Sequence, residues 1–492
     1  MSTSPVLLDF TFEKAGQTNK NFNQANFSNV KIRCYRLDNA KQSVIASEAE
    51  IIRVIECEPV QKILNQLRNK SSNVKPFVDG THVSINSRHT PDLSFGAGFL
   101  LMKLSRAVCI EGKSCQDNVL EPDQLANRCN TNEVQIGQDV YTVYAPFGAT
   151  EFINSCSRGC LSNRVENLLY LIDGRLGPNC EGAPVYSSKE TYDENHLIGF
   201  VMARIAVDTQ QTGFSFVVPK HVVYNALVAN VGSSTLGKSQ SLESAGLQKT
   251  LSVSTSEDLH GANSNLTNAI KNCVRIEFKN GWGSGVVIAP GIILTNSHVI
   301  GFGEDNFEPI WVRWMGNSTR ANVIFHVNRS CLLDLALLKY DSNFGPKGLE
   351  FANSPPERGE KVFCVGYPLL VDLKTPSLSS GVVLNSWEGS AGFSATCSTH
   401  PGASGGPILR INTIKQANVS KYVSKVSLLG IVIGVITVDG TPFNEVNTCI
   451  STSAIKQPLL NFIKTNDAQH LQCLEHHDDY WLKSLLHAKC KY

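Results

Sequence analysis

A glycine-rich stretch at residues 401–407, which reads PGASGGP, decides the fold and the chemistry of this sequence. It places a single serine, Ser404, among glycines, with apolar segments on both sides. Glycine allows backbone conformations and close approaches that a Cβ atom would prevent. The N–H groups of Gly402 and Ser404 can therefore point together at a developing oxyanion. The stretch predicts a tight turn that presents Ser404 as a nucleophile.

A histidine that could activate this serine lies well upstream in the chain. Residues 293–299 read ILTNSHV, an apolar run that predicts a strand ending at His298. The preceding run, WGSGVVI at residues 282–288, predicts a strand that enters the same hairpin. Histidine is the most common general base in enzymes, so His298 is the candidate base. A histidine held only for packing is the alternative interpretation.

An acidic residue interrupts the apolar run at residues 332–338, which reads LLDLALL. An unpaired carboxylate in an apolar strand would be costly, so Asp334 needs a partner. His298 meets that need if Asp334 accepts the Nδ1–H, which leaves Nε2 facing Ser404. The alternative is a structural pair without a catalytic role.

The two halves of the chain repeat one pattern. GQDVYTV at 137–143, followed by Pro146, matches GEKVFCV at 359–365, followed by Pro368 at the same spacing. The register continues from SRG at 157–159 to SSG at 379–381, and GAPV at 182–185 meets GGPI at 405–408 one position later. Repetition over such a span predicts two copies of one fold.

Composition favours a globular, mainly β protein. The 492 residues are 42% hydrophobic, and short β-branched runs alternate with Gly, Pro and Asn turns. The net charge of +1 gives no electrostatic footprint for nucleic acid. We expect no membrane span, because no apolar run reaches about 18 residues. The odd number of cysteines, 15, favours reduced and buried thiols over a disulfide framework.

Together these motifs identify a family. The order His298, Asp334, Ser404, in the contexts TNSH, DLALL and GASGGP, resembles the trypsin-like serine endopeptidases of the chymotrypsin fold, in their Deg/HtrA-like branch. The resemblance covers about residues 270–462. It implies an all-β chain of two tandem double β-barrel domains, the first degenerate. It also implies a Ser-His-Asp endopeptidase with an oxyanion hole at Gly402 and Ser404, and no metal or organic cofactor.

The double-length arrangement resembles the family of peroxisomal leader-peptide-processing proteases. That resemblance implies polypeptide substrates, in particular peroxisomal precursors, removal of their leader peptides, and self-cleavage. It also allows copies of the chain to form a homo-oligomer. A Deg/HtrA-like quality-control protease and a catalytically silent peptide-binding scaffold are the alternatives. The implied location is the peroxisome, with the cytosol as alternative because the chain ends CKY at 490–492, which is not a Ser-Lys-Leu-type signal.

The same resemblance indicates where substrate would bind. Six residues before the nucleophile, at the expected floor of the primary specificity pocket, stands Ser398. Because no acid occupies this position, a preference for Arg or Lys is disfavoured. Thr399 and His400 lie beside the oxyanion turn, either in the pocket or as loop scaffolding. The strand around Val435 and Thr437 is expected to pair with the substrate backbone.

The first copy departs from the catalytic pattern. Glu181 stands where Ser404 stands in the second copy, and the interval from Gly98 to Gly137 is much shorter than its counterpart from Gly285 to Gly359. A carboxylate cannot perform the same acyl transfer, so this copy is predicted to be a pseudoprotease. Cys180 is a weaker candidate for a thiol nucleophile, because no histidine is placed beside it.

These observations divide the chain into four parts. They are a degenerate domain at 1–230, a Ser/Gly/Thr-rich linker at 231–268, an active domain at 269–466 and a tail at 467–492. The metal-ligating residue types near the end match no closed zinc motif, so no metal site is predicted there. They are His470, Cys473, His476, His477, His487 and Cys490.

Overall fold

The structure is a computed structural model that describes most of the second half of the chain and part of the first. The described residues are 7–12, 30–38, 43–70, 74–77, 98–104, 134–148, 152, 154–166, 168–187, 196–207, 210–231, 264–278, 281–301, 309–328, 333–343, 345–368, 374–386, 389–415, 422–438 and 441–475.

The first half contains eleven described strands and two helices. The strands are β1 (Leu7–Phe12), β2 (Val30–Asp38), β3 (Ser43–Glu56), β4 (Val74–Phe77), β5 (Gly98–Leu104), β6 (Asp139–Tyr144), β7 (Ser155–Val165), β8 (Leu169–Asp173), β9 (Pro184–Tyr186), β10 (Leu197–Val207) and β11 (Gln210–Pro219). The α-helices are α1 (Glu58–Lys70) and α2 (Lys220–Val231), and a 3-10 turn spans Pro146–Gly148.

The second half contains twelve described strands and three α-helices. The strands are β12 (Cys273–Phe278), β13 (Gly281–Ala289), β14 (Ile292–Thr295), β15 (Ile310–Trp314), β16 (Asn317–His326), β17 (Ala336–Tyr340), β18 (Lys361–Gly366), β19 (Ser377–Ser386), β20 (Gly392–Ala395), β21 (Pro407–Lys415), β22 (Tyr422–Val438) and β23 (Thr441–Ser451). The helices are α3 (Ser264–Ile270), α4 (Ser297–Ile300) and α5 (Thr452–Thr465), followed by a 3-10 helix at Ala468–Leu474.

The second half forms two closed, six-stranded antiparallel barrels. Their strand orders are β12-β13-β14-β17-β16-β15 and β18-β19-β20-β23-β22-β21. Side chains from both barrels, such as Leu294 of the first and Val365 of the second, belong to one hydrophobic cluster. The two barrels therefore pack against each other.

The first half repeats the second of these barrels. Its ring runs β11-β8-β7-β6-β9-β10, closes through pairing of β10 with β11, and carries β4 as an added strand. This is the same strand order as the barrel β18 to β23. Strand β6 begins at Asp139 and β18 at Lys361, whereas β9 begins at Pro184 and β21 at Pro407, one position further apart. The predicted repeat is confirmed, including the change of register by one position.

The remaining strands of the first half form a separate sheet of order β1-β2-β3-β5. The prediction of an all-β fold with tandem barrels is confirmed. The exact domain boundaries stay a prediction, because residues 232–263 of the expected linker lie outside the described residues.

The two halves meet through equivalent strands. Strand β7 of the first half packs against β19 of the second, its counterpart in the repeat. Asn163 donates to the Thr375 carbonyl and to the Ser377 hydroxyl, each over 3.1 Å. At the edge of this interface, the Lys361 ammonium lies 3.2 Å from the Asp139 carboxylate.

The cysteines whose side chains are described are free thiols. Two are exposed, Cys156 and Cys473, and the others are buried. Burial raises the pKa of several of these thiols, including that of Cys364, so they behave as small apolar side chains. No helix within the described residues has the length and apolar character needed to cross a membrane.

Candidate active site

The candidate base and acid are in direct contact. The Asp334 carboxylate accepts the backbone N–H of His298 through Oδ1 over 3.0 Å, and its Oδ2 contacts His298 Nδ1. Both carboxylate oxygens are therefore used to fix one residue. Within residues 291–300, His298 alone is half-buried, while its neighbours are buried. The acid thus holds the ring of a half-buried histidine through Nδ1.

The residues before His298 position this pair. Thr295 Oγ1 donates to the Ser284 carbonyl over 2.7 Å, and Asn296 Nδ2 donates to the Asp334 carbonyl over 2.8 Å. Ser297 Oγ donates to the Leu335 carbonyl over 2.5 Å. The first three side chains of the TNSH motif thus bind main-chain carbonyls, either of the segment that carries the acid or of the neighbouring strand.

Two local expectations need correction. His298 does not end a strand but lies in the short helix α4, which begins directly after β14 and Asn296. Asp334 does not lie inside a strand but precedes β17, which begins at Ala336. The reason is the same in both places. The polar side chains of Asn296 and Ser297 bind the main chain near Asp334, which takes both segments out of regular pairing.

The candidate nucleophile, Ser404, lies in the second of two consecutive turns. The Ala403 N–H donates to the His400 carbonyl, and the Gly406 N–H donates to the Ala403 carbonyl, each over 2.9 Å. The third residues of these turns, Gly402 and Gly405, have φ of 96° and 80°. Positive φ at this position is typical of type II turns and favours glycine. Ser404 lies between these two glycines and is half-buried in a buried segment.

The glycines also allow very close packing. A Cβ atom on Gly402 would lie 2.3 Å from the Trp282 indole nitrogen, and one on Gly405 would lie 2.1 Å from the Ser284 carbonyl oxygen. A Cβ on Gly405 would also lie 2.4 Å from Thr295 Oγ1. The expectation that main chain passes close behind the nucleophile is confirmed. It also shows that the turn adjoins the segment that leads to His298.

Ser284 joins the nucleophile turn to the first barrel of this half. Its Oγ donates to the Gly402 carbonyl over 2.7 Å and accepts the Tyr367 N–H over 2.9 Å. Its N–H donates to the Ser404 carbonyl over 2.8 Å. The sequence predicted only a strand and a turn around the WGSG motif. The structure shows in addition that Ser284 fixes the turn at Ser404 through hydrogen bonds.

The N–H groups of Gly402 and Ser404 are the ones that the sequence analysis assigns to an oxyanion hole. Among the backbone hydrogen bonds of the described residues, neither group is a donor. The Ser404 hydroxyl donates to the Ile433 carbonyl over 3.0 Å. In this arrangement the serine hydroxyl is hydrogen-bonded to the main chain of β22, beside the segment expected to bind substrate.

Strand β22 has an open edge next to the nucleophile. Val435 pairs with Asn447 and Thr437 with Pro442 on the side of β23. On its other side, the register of β22 with β21 ends at Ile431, and no described strand continues it. A Cβ atom on Gly434 would meet nothing within 4 Å. Within the described part of the chain, this edge of β22 is therefore unpaired beyond Ile431.

The expected pocket residues are buried against the first half of the chain. The Ser398 hydroxyl donates to the Asp173 carboxylate over 2.9 Å, and His400 Nε2 lies 2.6 Å from the Thr212 carbonyl oxygen. Thr399 Oγ1 accepts Asn447 Nδ2 over 2.6 Å. For His400, this geometry matches the scaffolding alternative.

Position 398 itself carries no acid, as the sequence shows, but an acid lies beside it in three dimensions. Asp173 reaches it from the first half, and burial raises the pKa of this carboxyl to about 6. Its side chain is only 1% exposed, and the Arg175 guanidinium lies 3.8 Å away. The sequence around Ser398 contains no acid, whereas this one comes from a segment 225 residues earlier.

The corresponding turn of the first copy keeps the backbone and changes the chemistry. Gly182 N–H donates to the Val201 carbonyl and Ala183 N–H to the Cys180 carbonyl. The second copy makes the same two bonds from Gly405 to Val432 and from Gly406 to Ala403. Glu181 thus occupies the place of Ser404, as expected. Its carboxylate lies 3.9 Å from the Nε of Arg204, whose side chain is 2% exposed, and Cys180 is fully buried.

No group of three or more His, Cys, Asp or Glu side chains within the described ranges is placed to hold a metal ion. Of the six tail residues named above, His470 and Cys473 lie on the 3-10 helix Ala468–Leu474, and the other four lie outside the described residues.

Comparison with known proteins agrees with this geometry. Residues 283–413 match the family model of a trypsin-like peptidase domain. The chain is 24% identical over 347 residues to the peroxisomal leader peptide-processing protease of Homo sapiens, and 25% identical over 355 residues to that of Mus musculus. These alignments cover 67% and 68% of this chain but 56% of each relative, so the chain spans little more than half of their length.

Solved structures include a serine endoprotease from Yersinia pestis, which is 23% identical with a TM-score of 0.32 and covers 43% of this chain and 70% of that one. The active form of the Rv3671c protease from M. tuberculosis is 19% identical with a TM-score of 0.31, over 39% and 82% of the two chains. The strand pairing of this chain, rather than this likeness, establishes its fold. Residues 283–413 thus match a trypsin-like peptidase domain, in a chain that is similar to the peroxisomal leader peptide-processing proteases.

Proposed function

We propose that the chain is a serine endopeptidase in which Ser404, His298 and Asp334 form the catalytic triad. The observation that carries this proposal is the use of both Asp334 oxygens to fix His298, next to a turn that presents Ser404. A carboxylate on Nδ1 sets the tautomer of the ring and stabilises the imidazolium that forms when Nε2 takes a proton.

The reaction follows from these positions. In the proposed first step, the Ser404 hydroxyl leaves the Ile433 carbonyl and donates instead to Nε2 of His298. Catalytic hydrogen bonds of this kind often tighten only when substrate is bound. Ser404 Oγ then attacks the scissile carbonyl carbon while His298 takes the proton. The N–H groups of Gly402 and Ser404 stabilise the oxyanion, and His298 gives the proton to the amine, which leaves as the C–N bond breaks. Water, deprotonated by His298, then attacks the acyl-Ser404 ester. The ester bond breaks, the acid product leaves, and His298 returns the proton to Ser404 Oγ.

Substrate is expected to bind in extended form along the open edge of β22, with main-chain hydrogen bonds around Val435 and Thr437. A preference for Arg or Lys stays disfavoured, because the acid near Ser398 is already engaged. The Asp173 carboxylate accepts Ser398 Oγ and the Ser380 N–H, and it lies beside the Arg175 cation. Its capacity to bind a substrate cation is therefore used within the protein.

For the biological role, the names of the relatives favour limited processing. We propose removal of leader peptides from peroxisomal precursors within the peroxisome, together with self-cleavage. A cytosolic, Deg/HtrA-like quality-control protease is the second candidate. Its support is the peptidase domain itself, which such proteases share.

The test uses the purified full chain and its Ser404→Ala variant. Each is labelled with a fluorophosphonate probe and incubated with a peroxisomal precursor that carries an N-terminal leader. New N-termini are read by mass spectrometry. Labelling of the wild type alone, with one discrete cut at the leader junction, is the expected result. Scattered cuts in unfolded substrate only would favour quality control, and no labelling with no cut would contradict the peptidase proposal in favour of the scaffold.

A further inference from the structure

The degenerate half reaches under the segment that carries the nucleophile. Asp173, at the end of β8, accepts Ser398 Oγ through Oδ1 and the Ser380 N–H through Oδ2, each over 2.9 Å. The acid therefore binds two places in the second half, one on β19 and one six residues before Ser404. Both contacts are directional, and the carboxylate that makes them is buried from water.

Arg175 strengthens the same contact. Its guanidinium donates to the Ser380 carbonyl over 2.9 Å and also to the Thr396 carbonyl. Arg175 thus donates hydrogen bonds to β19 and to the segment from Thr396 to Ser398, and Asp173 accepts hydrogen bonds from the same two places. In the repeat register of the nucleophile turn, which aligns Pro184 with Pro407, Arg175 is the counterpart of Ser398 itself.

A second contact comes from the hairpin of β10 and β11. His400 is 4% exposed, and burial lowers the pKa of its ring to about 4, so the ring is neutral near neutral pH. Its Nε2 faces the Thr212 carbonyl oxygen at 2.6 Å and must therefore donate the hydrogen bond. Thr212 is itself fixed, because its Oγ1 donates to the Ile205 carbonyl over 2.7 Å.

The approach of this hairpin leaves no spare space. Gly213 has φ of 77°, and a Cβ atom there would lie 2.7 Å from Ser398 Oγ. On the other side, the His400 carbonyl accepts the Ala403 N–H and so begins the turn that presents Gly402 and Ser404. The contacts thus run without a gap from the first half to the catalytic turn.

We infer that the first half positions the turn that carries Ser404. Asp173 and the Thr212 carbonyl are the positioning groups, and they act through Ser398 and His400. This inference rests on the proposed function and adds a role for the degenerate copy. Apolar packing would hold two domains together without the desolvation cost of a buried carboxylate. Hydrogen bonds, unlike apolar contacts, depend on direction. Those to Ser398 and His400 therefore fix the position at which the turn begins.

A double-mutant cycle in the full chain tests this inference. The variants are Asp173→Ala, Ser398→Ala and the double variant, and the readouts are kcat and KM for an internally quenched peptide that the wild type cleaves. We expect each single change to lower kcat/KM about tenfold, mainly through kcat, because small displacements of a catalytic group are costly. The double variant should be no worse than either single variant, since the acid acts through the serine.

Two further variants serve as controls. Asp173→Asn keeps an oxygen that can accept Ser398 Oγ, and we expect it to retain more activity than Asp173→Ala. Lys361→Ala removes an ion pair at the edge of the same interface and should leave kcat/KM within about twofold of wild type. Thermal unfolding shows which variants are folded at the assay temperature. If Asp173→Ala is unfolded there, Ser398→Ala, which removes the same hydrogen bond from the other side, is compared with Lys361→Ala instead.

The outcomes separate this inference from the proposed function. If the wild type is neither labelled nor active, the peptidase proposal fails. If the wild type is active and the folded variants keep its kcat/KM, the peptidase proposal stands and the inferred positioning role is overturned. The same holds if the losses in the two single variants simply add in the double variant. A larger loss in Lys361→Ala than in Asp173→Ala would also overturn it, because the interface rather than the acid would then matter.

Discussion

The turns at Ser404 and at Glu181 have one backbone and two chemistries. Both are closed by equivalent main-chain hydrogen bonds within barrels of the same strand order. In one, a half-buried hydroxyl adjoins the segment that leads to a histidine fixed by an acid. In the other, a carboxylate lies 3.9 Å from the Nε of a buried arginine. The difference teaches that the barrel maintains the same turn with either a hydroxyl or a carboxylate at this position.

The largest expected effect is a loss of peptidase activity in the second copy. Asp334→Asn keeps the shape of the side chain but cannot fix His298 in the required tautomer. We expect kcat to fall about 10³- to 10⁴-fold, in line with the known effect of the same change in other serine protease triads. Peptide cleavage at steady state measures this, with circular dichroism to show that the fold is kept. A loss below about tenfold would remove Asp334 from the triad.

A smaller effect is expected on the degenerate side. Glu181→Gln removes the charge near Arg204, whose side chain is 2% exposed, and leaves a buried cation with a weaker partner. The free energy of unfolding should fall by about 1–3 kcal/mol, while kcat/KM for peptides stays unchanged. Urea unfolding measures the loss.

The matched control is Glu357→Gln, the same change at an exposed side chain in the second half. It should leave the urea midpoint unchanged. Equal midpoints for both variants would show that the Glu181 carboxylate does not stabilise the first copy.

The two turns also show how much of the molecule could be predicted from sequence. The triad contexts and the repeat are local patterns, so Ser404, Glu181 and the register between the copies are all readable in the sequence. The short helix at His298 could not be predicted, because side-chain bonds to distant main chain, not local periodicity, set its boundary. The role of Asp173 could not be predicted either, because its contact with Ser398 joins positions 225 residues apart, through packing of two whole barrels.

The stability of the protein is expected to depend on pH through Asp173, which lies between the two halves. Burial raises the pKa of Asp173 from 3.8 to about 6, so the folded protein holds this proton more tightly than the unfolded chain. The stabilising contribution is fully present below pH 3.8 and is lost as the pH rises through about 6. Relative to Asp173→Asn, the wild type should therefore lose stability between about pH 4 and 6 and change little above about pH 7.

Thermal midpoints of both proteins, measured from about pH 4.5 to 8, check this sign. A difference that does not depend on pH would mean that Asp173 keeps an ordinary pKa in the folded chain.

The smallest effect is expected at the Lys361 and Asp139 pair. The two side chains are 48% and 32% exposed, and exposed ion pairs contribute about 0–1 kcal/mol. Lys361→Ala should shift the urea midpoint little, and the shift should vanish in high salt because such pairs are screened. A large, salt-independent shift would show that this edge, rather than the buried contacts at Asp173, holds the halves together.

The contact of β7 with β19 has a further consequence for how such a chain can change over time. Equivalent surfaces that face each other are the hallmark of a symmetric dimer, in which both subunits must keep every residue that either one needs. Joining the copies in one polypeptide keeps each partner at a high effective concentration, of the order of millimolar, at any protein level. It also lets the two sequences vary separately. One copy is then free to exchange its nucleophile for a carboxylate while it retains the surface that its neighbour requires.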